Sequence, residues 1–102
     1  MTSNAELETI AAVTGPDQVP VLLVEDDDGD ALLVEELLRE VEAAVVVQRA
    51  RSLAQAKNLV SDAACVLLDL GLPDSQGLNG LRQLLAQEPE AAIVVLTGEA
   101  NE

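Results

Sequence analysis

The sequence predicts an α/β fold in which helices cover both faces of a parallel β-sheet. Four short apolar runs of strand length alternate with segments whose apolar residues recur at helical spacing. The runs are apolar at consecutive positions, so both faces of each strand must be buried, as they are in parallel sheets. At 102 residues the chain is long enough for one domain and too short for two.

The elements follow one another in the order that such a fold requires. Residues 1–18 are predicted to form a flexible leader, and the domain is predicted to occupy residues 19–102. Ser52 and Gln55 have the spacing of a capping box at the start of the second helix. The predicted strands cover residues 19–24, 44–47, 65–69 and 92–96, and the predicted helices cover about 31–43, 53–63 and 78–87.

Each predicted helix presents one apolar face to the sheet. Asp27, Asp28 and Asp30 stand at the start of the first helix, where we expect caps and first-turn charges that suit the helix dipole. The residues expected to face the core are Val34, Leu37, Leu38 and Val41 in the first helix, Leu53, Ala56, Leu59, Val60 and Ala63 in the second, and Leu78, Leu81, Leu84 and Leu85 in the third.

The composition restricts the classes of ligand. Nineteen acidic residues against five basic ones give a net charge of -14, which disfavours direct contact with nucleic acid. There is no Phe, Tyr or Trp to stack on a base or a flavin, and a chain with no His and one Cys is not expected to bind zinc. No apolar run approaches the roughly 20 residues of a membrane span, so we expect a cytoplasmic protein without membrane contact.

Acidic side chains stand where the predicted strands end. Glu25 and Asp26 follow the first strand, Asp69 ends the third, and Thr97 follows the fourth. Because the carboxyl ends of parallel strands meet at one edge of a sheet, we expect these side chains to converge. Carboxylates that are this close repel one another unless a cation lies among them, and Mg²⁺ prefers such oxygen ligands. Two interpretations follow: a pocket that only holds its ion, and a site where one carboxylate attacks phosphorus and forms an acyl phosphate.

Three sequence motifs resemble the receiver domain of two-component response regulators, the CheY-like family. They occur in the order that the family has, and the resemblance extends from about Val19 to the end of the chain. The motifs are VLLVEDD at residues 21–27, LLDLGLPDSQGL at residues 67–78 and VVLTG at residues 94–98.

The resemblance implies a role for each residue of this edge. Asp69 would be the phosphoacceptor of a bacterial two-component system, charged by a histidine kinase, a phosphotransfer protein or a small phosphodonor. Asp26 would bind Mg²⁺ directly, Glu25 would act mainly through water, and the backbone carbonyl of Gly71 would be a further metal ligand. Thr97 would be the switch hydroxyl that moves onto the phosphoryl group.

The resemblance also implies a flavodoxin-like sheet, of which this chain holds four strands in the order 2-1-3-4. The sequence stops just after the fourth strand, so the last helix, strand and helix of the family are missing, and with them the lysine that closes the phosphate site. Lys57 is expected to lie in mid-helix away from the site, and no family motif places Arg49 or Arg51 at the phosphate. The open fourth strand predicts a fragment of a longer receiver, or a homodimer or swapped oligomer through that strand.

Two other functions compete with a phosphoacceptor, which would be a regulatory domain that assists its own phosphotransfer rather than an enzyme. An aspartyl phosphatase of the haloacid dehalogenase kind needs a second Asp two residues after its nucleophile, and that position is Gly71. A receiver-like interaction or oligomerisation module, which is not phosphorylated, remains as the alternative.

Overall fold

A parallel four-stranded sheet organises the part of the chain that the structure describes. The structure is a computed structural model, and it describes residues 18–41 and 44–96. The predicted leader, except for Gln18, and Thr97 lie outside the described residues. The strands are β1 Val19–Val24, β2 Val45–Ala50, β3 Cys65–Asp69 and β4 Ile93–Leu96; the helices are α1 Asp28–Val41, α2 Leu53–Leu59, which continues into a 3-10 turn at Val60–Asp62, and α3 Asn79–Gln87.

The strands lie in the order β2-β1-β3-β4, and every neighbouring pair is parallel. This arrangement confirms the predicted fold class and strand order. Val24, the last residue of β1, is level with Ala50 of β2 and Leu68 of β3, and Asp69 is level with Leu96 of β4. The carboxyl ends of the strands therefore lie side by side at one edge of the sheet.

The main hydrophobic core lies between one face of the sheet and the helices α2 and α3. Alternate residues of β1 and β3 point into it, as the period of two in a strand requires. In the described part of the chain, no helix is both long enough and apolar enough to cross a membrane. The core consists of Leu22, Val24, Ala50, Val66 and Leu68 from the sheet, Leu53, Ala56 and Val60 from α2 and its extension, Leu72 from the following loop, and Leu84 from α3.

Two leucines that were expected to face the core are exposed instead. Leu37 of α1 is 54% exposed, and Leu78 is 48% exposed. Helical spacing identifies residues that share a face, but whether that face is covered depends on the neighbouring elements. Leu78 is also outside the periodic segment, because α3 begins at Asn79 and not at residue 78.

The second strand is longer than predicted and runs on through Gln48, Arg49 and Ala50. Arg49 was expected to lie in the segment that leaves the strand, but it pairs with Leu23 of β1. The end of this strand was not predicted because Gln48 and Arg49 are polar, and a parallel strand was expected to be apolar at every position. In the described residues β2 pairs with β1 alone, so it is an edge strand, where polar side chains reach water.

The amino end of α2 is capped by three side chains. Ser52 Oγ accepts the N–H of Gln55 at 3.2 Å, as the capping box predicts, but Gln55 Oε1 accepts the N–H of Arg51 at 2.6 Å rather than that of Ser52. The Asp74 carboxylate, from the loop after β3, accepts the N–H groups of Leu53 at 2.8 Å and Ala54 at 3.1 Å. These bonds to backbone N–H groups, that of Leu53 first, lower the pKa of Asp74.

We expect Asp74→Ala to destabilise the fold, because two N–H groups at the start of α2 lose their acceptor. The melting temperature should fall on the order of 5 °C near pH 7. The pKa of Asp74 is lower in the folded chain, so its carboxylate stabilises the fold above the ordinary Asp pKa, and this contribution is lost as the pH falls through the lowered value. Far-UV circular dichroism is the measurement, since the chain has no aromatic residue.

The control is Asp62→Ala, which removes an exposed carboxylate without a side-chain hydrogen bond in the described structure. Equal melting temperatures for the two variants at neutral pH would contradict a capping role for Asp74.

Candidate metal centre

Three of the predicted site residues converge at the carboxyl edge of the sheet. Glu25, Asp26 and Asp69 each offer a carboxylate oxygen, and these oxygens lie within 4.8 Å of one another. The parallel register is the cause, because the ends of β1 and β3 are level at Val24 and Leu68. Three oxygen donors at this spacing suit a hard divalent cation such as Mg²⁺, which completes its shell with water.

The three carboxyl groups differ in exposure to water. Glu25 is only 6% exposed, Asp69 is half-buried and Asp26 is exposed. The pKa of Glu25 is raised to about 7, chiefly by burial. The negative charges of Asp69 and Asp30 and a hydrogen bond with Asp69 also raise it, and the N–H of Asp27, which donates to Glu25 Oε2, lowers it. Below about pH 7 the buried Glu25 carboxyl therefore favours its neutral form.

The loop between β1 and α1 carries two of these carboxylates and is closed by its own hydrogen bonds. Glu25 N–H donates to the carbonyl of Ala50 at 2.9 Å and so extends the strand ladder by one residue. Asp27 Oδ2 accepts the N–H of Asp30 at 2.8 Å, which confirms the predicted helix cap. The side chains that precede α1 therefore serve both the helix and the site.

Two arginines that sequence reasoning set aside contact this loop. Arg49 Nε donates to the backbone carbonyl of Glu25 at 2.7 Å, and Arg49 Nη2 lies 3.2 Å from Asp28 Oδ1. Arg51 Nη2 lies 2.7 Å from the same Asp28 oxygen, and the two guanidinium groups lower the pKa of Asp28. The predicted strand order could have indicated this contact, because it places the end of β2 beside the end of β1 and the loop that follows it.

Lys57 is not near the acidic site. Its Nζ donates to Gln83 Oε1 at 2.5 Å, and its backbone carbonyl accepts from Gln87 Nε2 at 2.6 Å. Lys57 therefore joins α2 to α3, in keeping with the prediction that it lies away from the edge of the sheet.

A cleft of about 360 Å³ opens beside Glu25 and Asp69. Gly71 passes close to Asp69, since a Cβ atom at Gly71 would lie 3.6 Å from Asp69 Oδ2. The role of the Gly71 carbonyl as a metal ligand and the role of Thr97, which lies outside the described residues, stay predictions. The cleft is lined by Glu25, Asp30, Leu33, Val34, Asp69, Val95 and Leu96.

The fold and the site together define an α/β protein with a cluster of carboxylates at the carboxyl edge of a parallel sheet. Comparison with known proteins identifies the family. The model of the response regulator receiver domain matches residues 21–102. The chain therefore belongs to the response regulator receiver domain family.

Individual relatives agree with this assignment. The chain is 40% identical over 84 residues to the transcriptional regulatory protein CreB of Escherichia coli (strain K12), an alignment that covers 80% of this chain and 36% of CreB. It is 27% identical over 86 residues to the transcriptional regulatory protein FixJ of Azorhizobium caulinodans, which covers 84% of this chain and 41% of FixJ. The chain thus spans less than half the length of these two curated relatives.

A solved structure shows the same fold. The MaeR response regulator bound to beryllium trifluoride superposes with a TM-score of 0.71 at 26% sequence identity, and the match covers 83% of this chain and 70% of that one.

We expect Glu25→Gln to stabilise the metal-free protein at pH 8 and to change its stability little at pH 5. The pKa of Glu25 rises from 4.5 to about 7 on folding, so the folded state binds the proton more tightly. Its contribution to stability is full below the unfolded value and is lost as the pH rises through about 7. Urea unfolding in the presence of EDTA, followed by far-UV circular dichroism, gives the two midpoints.

Glu36→Gln on the exposed side of α1 is the control for removal of one negative charge. A difference between wild type and Glu25→Gln that stays constant from pH 5 to pH 8 would rule out the raised pKa.

Proposed function

We propose that this chain is the phosphoacceptor receiver domain of a bacterial two-component system, phosphorylated on Asp69 by a histidine kinase or a phosphotransfer protein in a Mg²⁺-dependent reaction. The observation that carries the proposal is the convergence of Glu25, Asp26 and Asp69 within 4.8 Å. Membership of the receiver family supports it, since receiver domains of response regulators are regulatory domains that interact with kinases or phosphotransfer proteins.

The three carboxylates divide the work according to their surroundings. Asp26 is exposed and would bind the ion directly, whereas Glu25 is buried and would act mainly through a bound water molecule. The Gly71 carbonyl and the Thr97 hydroxyl complete the proposed set, as a metal ligand and as a donor to the phosphoryl group. When bound, Mg²⁺ supplies positive charge that offsets the repulsion between the carboxylates and an incoming phosphoryl group.

Asp69 is the nucleophile in this proposal because it ends β3 half-buried beside the cleft. One of its oxygens attacks the phosphorus of a phosphohistidine, the P–N bond breaks, and the electron pair stays on the imidazole nitrogen, which takes up a proton. The product is an acyl phosphate on Asp69. The MaeR response regulator, which has the same fold, binds beryllium trifluoride, and this supports the proposal that the present domain accepts a compact group of about the size of a phosphoryl group.

The proposed partners follow the charge of the chain. With 19 acidic and 5 basic residues, the domain repels a phosphate backbone, so we propose that it does not contact nucleic acid directly. The output of a longer regulator would then come from another part of the protein.

Incubation with Mg²⁺ and acetyl phosphate should add one phosphoryl group to the wild type, as measured by intact mass. Asp69→Asn should abolish the uptake, because an amide oxygen is a poor nucleophile and the group cannot form an acyl phosphate. EDTA should reduce the rate at least about tenfold, since the charge of the ion is removed.

Asp30→Asn is the matched control, because Asp30 lines the same cleft but is not one of the three converging carboxylates. It should still take up phosphate. Uptake by Asp69→Asn, or no uptake by the folded wild type, would refute the phosphoacceptor function.

An oligomerisation module is the second candidate function, and the exposure of β4 favours it. Val94 is 50% exposed on β4, and in the described residues β4 pairs only with β3. Such an edge can pair with a second copy. Sedimentation velocity should then show a dimer that Val94→Lys disrupts and that Leu32→Lys, a change at an equally exposed site on α1, does not. A monomer at all concentrations would exclude this function.

A further inference from the structure

Arg49 contacts the backbone of the metal-site loop as well as a side chain within it. Its Nε–H donates to the carbonyl oxygen of Glu25 at 2.7 Å, and this carbonyl belongs to the peptide group that joins Glu25 to Asp26. Nη2 of the same guanidinium donates to Asp28 Oδ1 at 3.2 Å. Arg49 therefore spans the loop from its first residue to the start of α1.

The position of Arg49 makes this contact rigid. It lies inside β2, where it pairs with Leu23, and the next residue, Ala50, accepts the N–H of Glu25 at 2.9 Å. The N–H of Glu25 is thus bonded to Ala50 and its carbonyl to Arg49, and these two residues are consecutive in β2. With both of its polar groups held, the Glu25 backbone has little freedom to rotate.

Arg51 provides a natural comparison. It contacts Asp28 Oδ1 at 2.7 Å and, among the described residues, makes no hydrogen bond or ion pair with Glu25. Its side chain is 54% exposed, against 21% for that of Arg49. The two arginines therefore contribute the same charge to the acidic loop, but only Arg49 holds the backbone between two of the converging carboxylates.

We propose that Arg49 is a positioning residue for the metal centre: its bond to the Glu25 carbonyl sets the peptide between Glu25 and Asp26, and thereby the placement of their carboxylate oxygens for a divalent cation. The inference rests on the proposed function of this site and adds a residue that the family motifs do not include. The same guanidinium also pairs with Asp28, so Arg49 has an acidic partner besides the Glu25 carbonyl.

Charge and positioning predict opposite effects on Mg²⁺ affinity. A cation close to the site repels Mg²⁺, so if charge alone mattered, removal of either arginine would tighten Mg²⁺ binding. If Arg49 positions the ligands, its removal weakens binding although a repelling charge has gone.

The test compares Arg49→Met, Arg49→Lys and Arg51→Met with wild type. Mg²⁺ is titrated alone, and affinity is read from the amide resonances of the loop by NMR. We expect Arg49→Met to weaken binding about fivefold, the effect of one typical intramolecular hydrogen bond, and Arg51→Met to leave it within about twofold or to tighten it. Arg49→Lys keeps the charge but not the planar pair of donors, so its affinity should lie between those of wild type and Arg49→Met.

Tighter or unchanged binding in Arg49→Met overturns the proposal, and so does equal weakening in Arg49→Met and Arg51→Met, which would assign the effect to the Asp28 ion pairs. If Arg49→Met fails to fold by circular dichroism, the comparison of Arg49→Lys with Arg51→Met decides in the same way.

Amide hydrogen exchange in EDTA separates this inference from the proposed function. The N–H groups of Glu25 and Asp27 are both hydrogen-bonded, so their exchange reports the order of the loop without metal. Faster exchange at these two amides in Arg49→Met, but not in Arg51→Met, supports positioning even if wild type binds no Mg²⁺. Unchanged exchange together with unchanged affinity overturns it.

Discussion

The parallel register between β1 and β3 is the constraint on which the site depends. Val24 lies level with Leu68, so the residues that follow β1 meet the last residue of β3, Asp69. A slip of one residue would turn Glu25 toward the opposite face of the sheet and separate the carboxylates. Such a slip would also move Leu22 and Val24 out of the core that they share with α2 and α3. The hydrophobic core therefore fixes the geometry of a charged site that it does not touch.

Side chains from neighbouring elements hold the loops at this edge of the sheet. Arg49 of β2 bonds the loop after β1, and Asp74, from the loop after β3, bonds the first N–H groups of α2. Each contact joins segments that are more than 20 residues apart in the sequence. A site built on loops that are tied in this way needs less reordering when a ligand binds.

The sequence predicted the strands and the convergence of the carboxylates because both follow from local pattern and from the rule that parallel strands end on one side. It did not predict which leucines are exposed, since Leu37 has the spacing of a core residue and only the surrounding elements decide whether its face is covered. The Asp74 cap was missed for a similar reason. A cap supplied from 21 residues away leaves no mark in the sequence around α2. Arg49 was misplaced because a polar residue in an edge strand resembles a loop residue.

The acidic cluster is a local conflict between stability and binding. Glu25 is buried beside Asp69, and its pKa of about 7 means that the metal-free fold favours the neutral acid at this position. A hydrophobic or amide side chain there would avoid the cost of the buried charge, whereas the proposed divalent cation would offset it. A divalent cation bound at this edge would favour the ionised form of Glu25, so we expect the affinity of the site for the ion to rise with pH through about 7. The ionised Glu25 carboxylate therefore lowers the stability of the metal-free fold and would stabilise a bound cation.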